Sequence, residues 1–258
     1  MTDMSRVPMM LLPSVLVTSQ PLGCGETTLP AWEVASAKVP RGKLFEPIEE
    51  VTLHPVLRQL AMRLPGASRG VLMVPEFVGP YGVADLLVVT YVGDKLANRL
   101  ALGIDPLLSE LDAALVVVAH PVKPLTISEL AAAVGRTERA IRRRVSGLVS
   151  RGALVETTAG YMKPSALRPV GRLWALEAKV SDWRRGVGQA NRYGVWADGS
   201  ALVLSRVTNE ADVISSASRL GLGVAHGPRW LIRPTLRPQN DATRLWASEH
   251  LIAALASA

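Results

Sequence analysis

This sequence predicts an α/β protein, a mixed sheet flanked by helices with a second, largely helical unit inserted between two of its strands. Three observations carry that expectation. Gly82–Val89 and Leu173–Val180 are apolar runs of strand character and strand length. Each is interrupted by ionisable groups, Asp85 in the first and Glu177 and Lys179 in the second, with 92 residues separating the two carboxylates. A tight hairpin connection takes roughly two to five residues, so the surplus must fold as a unit of its own.

A buried strand should carry no charge. If the two strands pair, Asp85, Glu177 and Lys179 converge, and burying them is costly unless a metal ion or mutual pairing compensates. Alternation along the strand puts Glu177 and Lys179 on one face, while Ala178 turns away and leaves its carbonyl near the same point. Two carboxylates and a carbonyl are an all-oxygen donor set suited to Mg2+ or Mn2+. A lysine beside such an ion can orient an attacking water and offset charge gathering on a phosphoryl group, as phosphodiester hydrolysis requires. A Glu-x-Lys triplet alone is a weak signal; its strand context and its distant partner strengthen it.

Beyond the lysine strand, Gln189-x-x-x-Tyr193 has the spacing that places both side chains on one helix face. In this order, Asp85 within Gly-Val-Ala-Asp, Glu177-Ala178-Lys179 and Gln189-x-x-x-Tyr193 resemble the motifs of the PD-(D/E)xK nuclease superfamily, the last as in its RecB-type members. Ala84 stands where the family's motif has proline. The resemblance implies a restriction-endonuclease-like core, with Asp85, Glu177 and the Ala178 carbonyl on the metal, Lys179 on the water, and Gln189 and Tyr193 orienting the lysine strand or touching substrate. It also implies a glutamate on the first core helix. A helix is expected from about Pro47 to Leu64, with Glu50 as the fourth acidic group, Glu76 as the weaker choice and His54 one turn on from Glu50; simple capping by charge is the competing reading of Glu50.

The inserted stretch reads as helix, helix, turn, helix and hairpin. Leu107–Ala119 is the first helix; Thr126 with Glu129 forms a capping box for Ile127–Val134; Thr137 caps a third helix to about Arg151. Ile141, Val145, Leu148 and Val149 face inward on that helix, and Arg139, Arg142, Arg143 and Arg144 outward. Two short strands around Thr-Ala-Gly follow, ending at Lys163. This pattern is that of a winged helix-turn-helix, whose third helix enters the major groove of double-stranded DNA, with Thr137, the four arginines and Lys163 touching the duplex. An Arg-rich face is often only a solvated surface, and winged helices also bind proteins.

Composition supports a polyanionic partner: 29 Lys+Arg against 22 Asp+Glu give a formal charge of +7. The single cysteine, Cys24, excludes an internal disulfide, and the histidines at 54, 120, 226 and 250 lack zinc-ligand spacing. Apolar runs are too short to cross a bilayer and Met9–Val17 lacks signal-peptide features, so a cytoplasmic protein is expected. The expected organisation is an N-terminal segment 1–43 packed on the core or partly disordered, a discontinuous core of 44–95 and 166–258, and the insertion 96–165. The expected function is a Mg2+-dependent (or Mn2+-dependent) DNA endonuclease, with a homodimer as one arrangement that would let two sites cut two strands. A DNA-binding regulator or defence or repair accessory with an inactive core is the alternative.

Overall fold

The computed structural model describes residues 31–33 and 52–257. Expectations for residues 1–30 and 34–51, including Glu50 and Cys24, lie outside the described residues. The molecule is mixed α/β, with a seven-stranded sheet flanked by helices.

The sheet comprises β1 (Ala31–Glu33), β2 (Val71–Gly79), β3 (Gly82–Thr90), β6 (Arg172–Lys179), β7 (Gly199–Leu204), β8 (Gly223–His226) and β9 (Arg229–Ile232), side by side in that order. β2 and β3 form an antiparallel hairpin, β3 pairs antiparallel with β6, and β6 runs parallel to β7. The parallel step needs a crossover, which α6 (Trp183–Tyr193) supplies. β6 and β7 are almost entirely buried, as expected of central strands covered on both faces.

One face of the sheet packs Leu57, Leu60 and Leu64 of and after α1 (His54–Ala61) against Met73, Val88 and Leu176. The other packs Leu87, Val89 and Ala175 against Tyr193, Trp196 and the apolar side of α8 (Asp241–Ala256). The helix expected to run unbroken from Pro47 to Leu64 is corrected: residues 52 and 53 are a turn, and α1 begins at His54 with Pro55 in its first turn. Proline is tolerated there because its missing N–H has no intrahelical partner in any case.

Between β3 and β6 lie α2 (Gly93–Leu100), α3 (Glu110–Val118), α4 (Ile127–Ala133), α5 (Glu138–Ser150) and the hairpin β4 (Val155–Thr157) and β5 (Gly160–Met162). Residue 96, the expected start of the insertion, falls inside α2, whose Leu96 packs in the sheet core. The capping box of Thr126 and Glu129 forms in full, and Thr137 accepts the Ala140 N–H. Leu107, Leu115, Leu130, Ile141, Val145, Leu148 and Leu154 make a separate core, which Leu245 and Trp246 of α8 complete.

α8 also grips both ends of the inserted segment. Arg99, on α2, meets Glu249 through two hydrogen bonds of 2.8 and 2.6 Å, each side chain 1% exposed. The same guanidinium donates to the Ile104 carbonyl, and Glu249 accepts the Leu107 N–H. At the other end the Val170 N–H donates to the Ser248 hydroxyl. With every fork and oxygen occupied, the buried pair is satisfied, and removing one partner strands the other. Glu249→Ala should therefore destabilise the protein by about 3–5 kcal/mol in urea unfolding, far more than Arg142→Ala, whose exposed pair with Glu138 should contribute under about 0.5 kcal/mol.

Candidate functional site

The ladder between β3 and β6 runs from Thr90 opposite Arg172 to Leu86 opposite Leu176 and stops there. The next opposed residues are Asp85 and Glu177. At this point the strands are held by a side chain instead of the backbone: Asp85 Oδ2 accepts the Ala178 N–H at 2.7 Å. The two carboxylates predicted to converge do so, with Asp85 2% and Glu177 1% exposed.

Glu177 lies between a phenol and an ammonium. Its Oε2 is 2.6 Å from the Tyr193 hydroxyl oxygen, and its Oε1 is 2.9 Å from Lys179 Nζ, which also donates to the Ala178 carbonyl at 2.9 Å. Lys179 is 8% exposed, so this pair is shielded from water. Tyr193 reaches the strand because α6 lies close upon the sheet: a Cβ on Gly186 would sit 2.5 Å from Leu202 Cδ1 and 3.0 Å from Lys179 Cγ, so an alanine there would have to displace the leucine and crowd the lysine.

Protons can be counted at this site. The Tyr193 hydroxyl oxygen is also 2.6 Å from the Val83 carbonyl, an acceptor only, and a phenol has one hydrogen to donate. Both short contacts are satisfied together when Glu177 carries the second proton and donates it to the phenol oxygen. Burial first and the charge of Asp85 second push the Glu177 carboxyl up to about 7, against the opposing pull of Lys179 and the hydroxyl. Burial, then Glu177, push the Tyr193 phenol upward as well, so it acts as a hydrogen-bond donor and not as a phenolate.

Of the remaining predicted residues, Gln189 lies on α6 one turn before Tyr193, its amide oxygen buried without a hydrogen-bond partner among the described residues. Glu76 falls opposite Asp85, in the gap of the β2–β3 register between Pro75–Leu86 and Phe77–Ala84, and has a positive φ of 49°. Its Oε1 is 4.0 Å from His54 Nε2 at the start of α1. The glutamate that sequence reasoning ranked second to Glu50 thus sits in the same row as Asp85 and Glu177; a strand register could not be read from the sequence closely enough to show this. Among the described residues no group of three or more His, Cys, Asp or Glu side chains is arranged to hold a metal ion. Asp85, Glu177 and the Ala178 carbonyl still form an all-oxygen set whose two acids feel each other's charge, which fits a hard cation once Lys179 yields the carbonyl.

On the inserted unit, Arg144 and Arg151 both turn to Asp112 of α3, at 3.5 and 2.9 Å, and Arg142 pairs with Glu138. Lys163 donates to the Val117 carbonyl and is half-buried, which lowers its proton affinity. Arg139 and Arg143 are exposed and have no carboxylate partner among the described residues. Beside Arg143 and Arg144, a groove of about 640 Å³ runs along Ala140, Gly147 and Ser150, small residues that leave the helix surface open. No helix among the described residues is long and apolar enough to cross a membrane. Comparison with protein-family models, curated proteins and solved structures finds no match to this chain.

The raised proton affinity of Glu177 makes stability pH-dependent. A carboxyl that ionises near 4.5 when unfolded and about 7 when folded contributes stability below 4.5, and loses it as the pH rises toward and through 7. The unfolding free energy should fall across that window by up to about 1.4 kcal/mol per pH unit. Glu177→Gln should flatten the profile in urea denaturation followed from pH 4 to 8; an unchanged slope would mean that another group carries it.

Proposed function

We propose that this protein is a divalent-metal-dependent DNA nuclease with a restriction-endonuclease-like core, directed to duplex DNA by an inserted winged helix. One observation carries the reading. Two carboxylates 92 residues apart in the chain meet, buried, where the β3–β6 ladder opens, with a lysine on the same strand beside them. The order of elements, a helix, an antiparallel hairpin, a third antiparallel strand, a crossover helix and a parallel strand, agrees with the fold that the motifs resemble.

In this reading Asp85, Glu177 and the Ala178 carbonyl hold Mg2+ or Mn2+, which would supply Lewis-acid stabilisation of the phosphoryl group. Binding requires Glu177 to give up its proton. With Glu177 ionised, the single hydrogen of Tyr193 would be left to serve both the Glu177 carboxylate and the Val83 carbonyl, and the phenol would hold Glu177 in place through Oε2. Lys179, which now donates to the Ala178 carbonyl, would supply an ammonium beside the scissile phosphate to offset developing charge. Gln189 lies one turn before Tyr193 on α6 with its buried amide oxygen free to accept a hydrogen bond, which suits orienting the lysine strand. Glu76 and His54 flank the carboxylates on the β2 side. Arg139 and Arg143 on α5 are the cations best placed to enter a groove of DNA, because Arg142, Arg144, Arg151 and Lys163 are engaged within the protein.

A second reading rests on a specific feature. The ion pair between Glu177 and Lys179 satisfies the site without a metal, as in a DNA-binding regulator with an inactive core. Calorimetry with Mn2+ separates the two: the nuclease binds the ion with release of about half a proton at pH 7, rising toward one as the pH is lowered, whereas the regulator binds DNA and takes up no metal.

Plasmid, linear and branched DNA should be cut in the presence of Mg2+ or Mn2+, and Glu177→Ala or Lys179→Ala should lower the rate by at least about 100-fold. Cleavage that survives both substitutions would remove the assignment. Replacing Arg139 and Arg143 with glutamine should weaken duplex binding and lower its salt dependence by about 0.9 for each phosphate no longer neutralised, whereas Arg144→Gln should act mainly on stability through Asp112.

A further inference from the structure

At the opposite end of the two site strands, a second cluster has no part in the chemistry described above. Tyr91 follows β3 directly, and Arg172 opens β6 across the ladder from Thr90. Arg69 lies in the short helical turn Ala67–Arg69 before β2. Both guanidiniums lie over the Tyr91 ring, with Arg69 Cζ 5.4 Å and Arg172 Cζ 4.9 Å from its centroid.

Three features show that the ring is held there at a cost. Tyr91 has a φ of 57°, in the left-handed region that a bulky side chain rarely occupies. Gly66, with φ 89°, presses on the ring so closely that a Cβ would overlap Cε2 and Cζ. Among the described residues neither arginine has a carboxylate partner and the Tyr91 hydroxyl has no hydrogen-bond partner, although Arg58, Arg99, Arg144, Arg151, Arg229 and Arg244 all find acids. One guanidinium on a tyrosine is ordinary packing. Two on one strained ring, with no acid between them, leave an excess of positive charge and a set of fixed, unfilled donors.

We propose that Arg69, Tyr91 and Arg172 form a binding site for a phosphate oxyanion, and that its owner is the phosphodiester backbone of nucleic acid. Contact with one ring keeps the two guanidiniums near each other and restricts both side chains, and a guanidinium fork matches the oxygens of a phosphate, so less side-chain entropy is lost on binding than with two mobile lysines. The cluster is about five residues along β3 and β6 from Asp85 and Glu177, or roughly 17 Å at the rise of a strand. That separation corresponds to about five steps of duplex DNA, so one bound strand could span both places. Only the identity of the phosphate's owner rests on the nuclease reading; the anion site itself does not.

The test uses the full chain without divalent metal. Anisotropy of a short labelled duplex is measured against salt concentration for the wild type, R69Q/R172Q and R139Q/R143Q, and thermal melting is compared in inorganic phosphate and in chloride of equal ionic strength. The expected result is a salt slope reduced by about 0.9 in R69Q/R172Q, the contribution of the one phosphate that the two arginines hold together. If the slope is unchanged but phosphate raises the melting temperature of the wild type and not of R69Q/R172Q, the anion site stands and its ligand is a small phosphate. If neither slope nor phosphate response changes, the proposal is overturned. A wild type that binds no duplex would sink the DNA reading separately, and the phosphate arm would still decide the cluster. Should R69Q/R172Q melt abnormally, R69Q alone, at an exposed position, carries the same comparison.

Discussion

The N–H of Ala178 fixes much of this molecule. Backbone pairing between β3 and β6 ends at Leu86 and Leu176, and the next inward donor would be a buried, unsatisfied amide if Asp85 did not take it. An orphaned amide at that depth would cost about 1–3 kcal/mol, so Asp85 has a structural duty before any catalytic one. The aspartate takes the place of a ladder bond at the point where the two carboxylates lie opposite each other. Its charge then adds to burial in raising the proton affinity of Glu177, which Tyr193 and Lys179 contact from α6 and from the same strand.

α8 imposes the second constraint. Its Ala247, Leu251 and Ile252 belong to the sheet core, whereas its Leu245 and Trp246 belong to the core of the inserted unit. Ser248 and Glu249, consecutive in sequence, hold the segment's two ends at Val170 and at Arg99 with Leu107. An insertion tied by one flexible linker could sample many orientations. Here the last helix of the chain belongs to both cores, so the position of α5 relative to Asp85 and Glu177 depends on residues far from both in sequence.

These two constraints differ in how far the sequence reveals them. A charge inside an apolar strand is conspicuous, so Asp85, Glu177 and Lys179 could be singled out, and Tyr193 followed from helical spacing. Caps are local chemistry, which is why Thr126 with Glu129 and Thr137 could be placed to the residue. Glu249 was invisible because an acid among Ala, Ser and His on a terminal helix looks like any solvated charge; only its partner 150 residues away reveals that it is buried. The same ambiguity hid the roles of Arg144, Arg151 and Lys163, since a basic side chain bound to Asp112 or to a carbonyl has the same sequence signature as one awaiting a phosphate. Pro55 was legible as a helix boundary but was outweighed by the apolar periodicity around it. Glu76 ranks only second to Glu50 in the sequence because its place opposite Asp85 goes with a positive φ in β2 that periodicity does not encode.

The arrangement of charge at the site bears on what it is for. Lys179 alone suffices to pair with Glu177, and a cluster built only for stability could end there, with one acid and one base. Asp85 could hold the Ala178 N–H equally well as an asparagine, whose amide oxygen accepts the same bond without a charge. An ionised carboxylate next to Glu177 instead raises the proton affinity of its neighbour, a cost that grows with burial. That repulsion, taken by itself, opposes folding. In the proposed nuclease a cation held by the two acids would reverse its sign, and the Lys179 ammonium already lies beside Glu177. In that reading the second acid is what would let the site exchange a proton for a metal ion, a role that an asparagine accepting the same N–H could not fill.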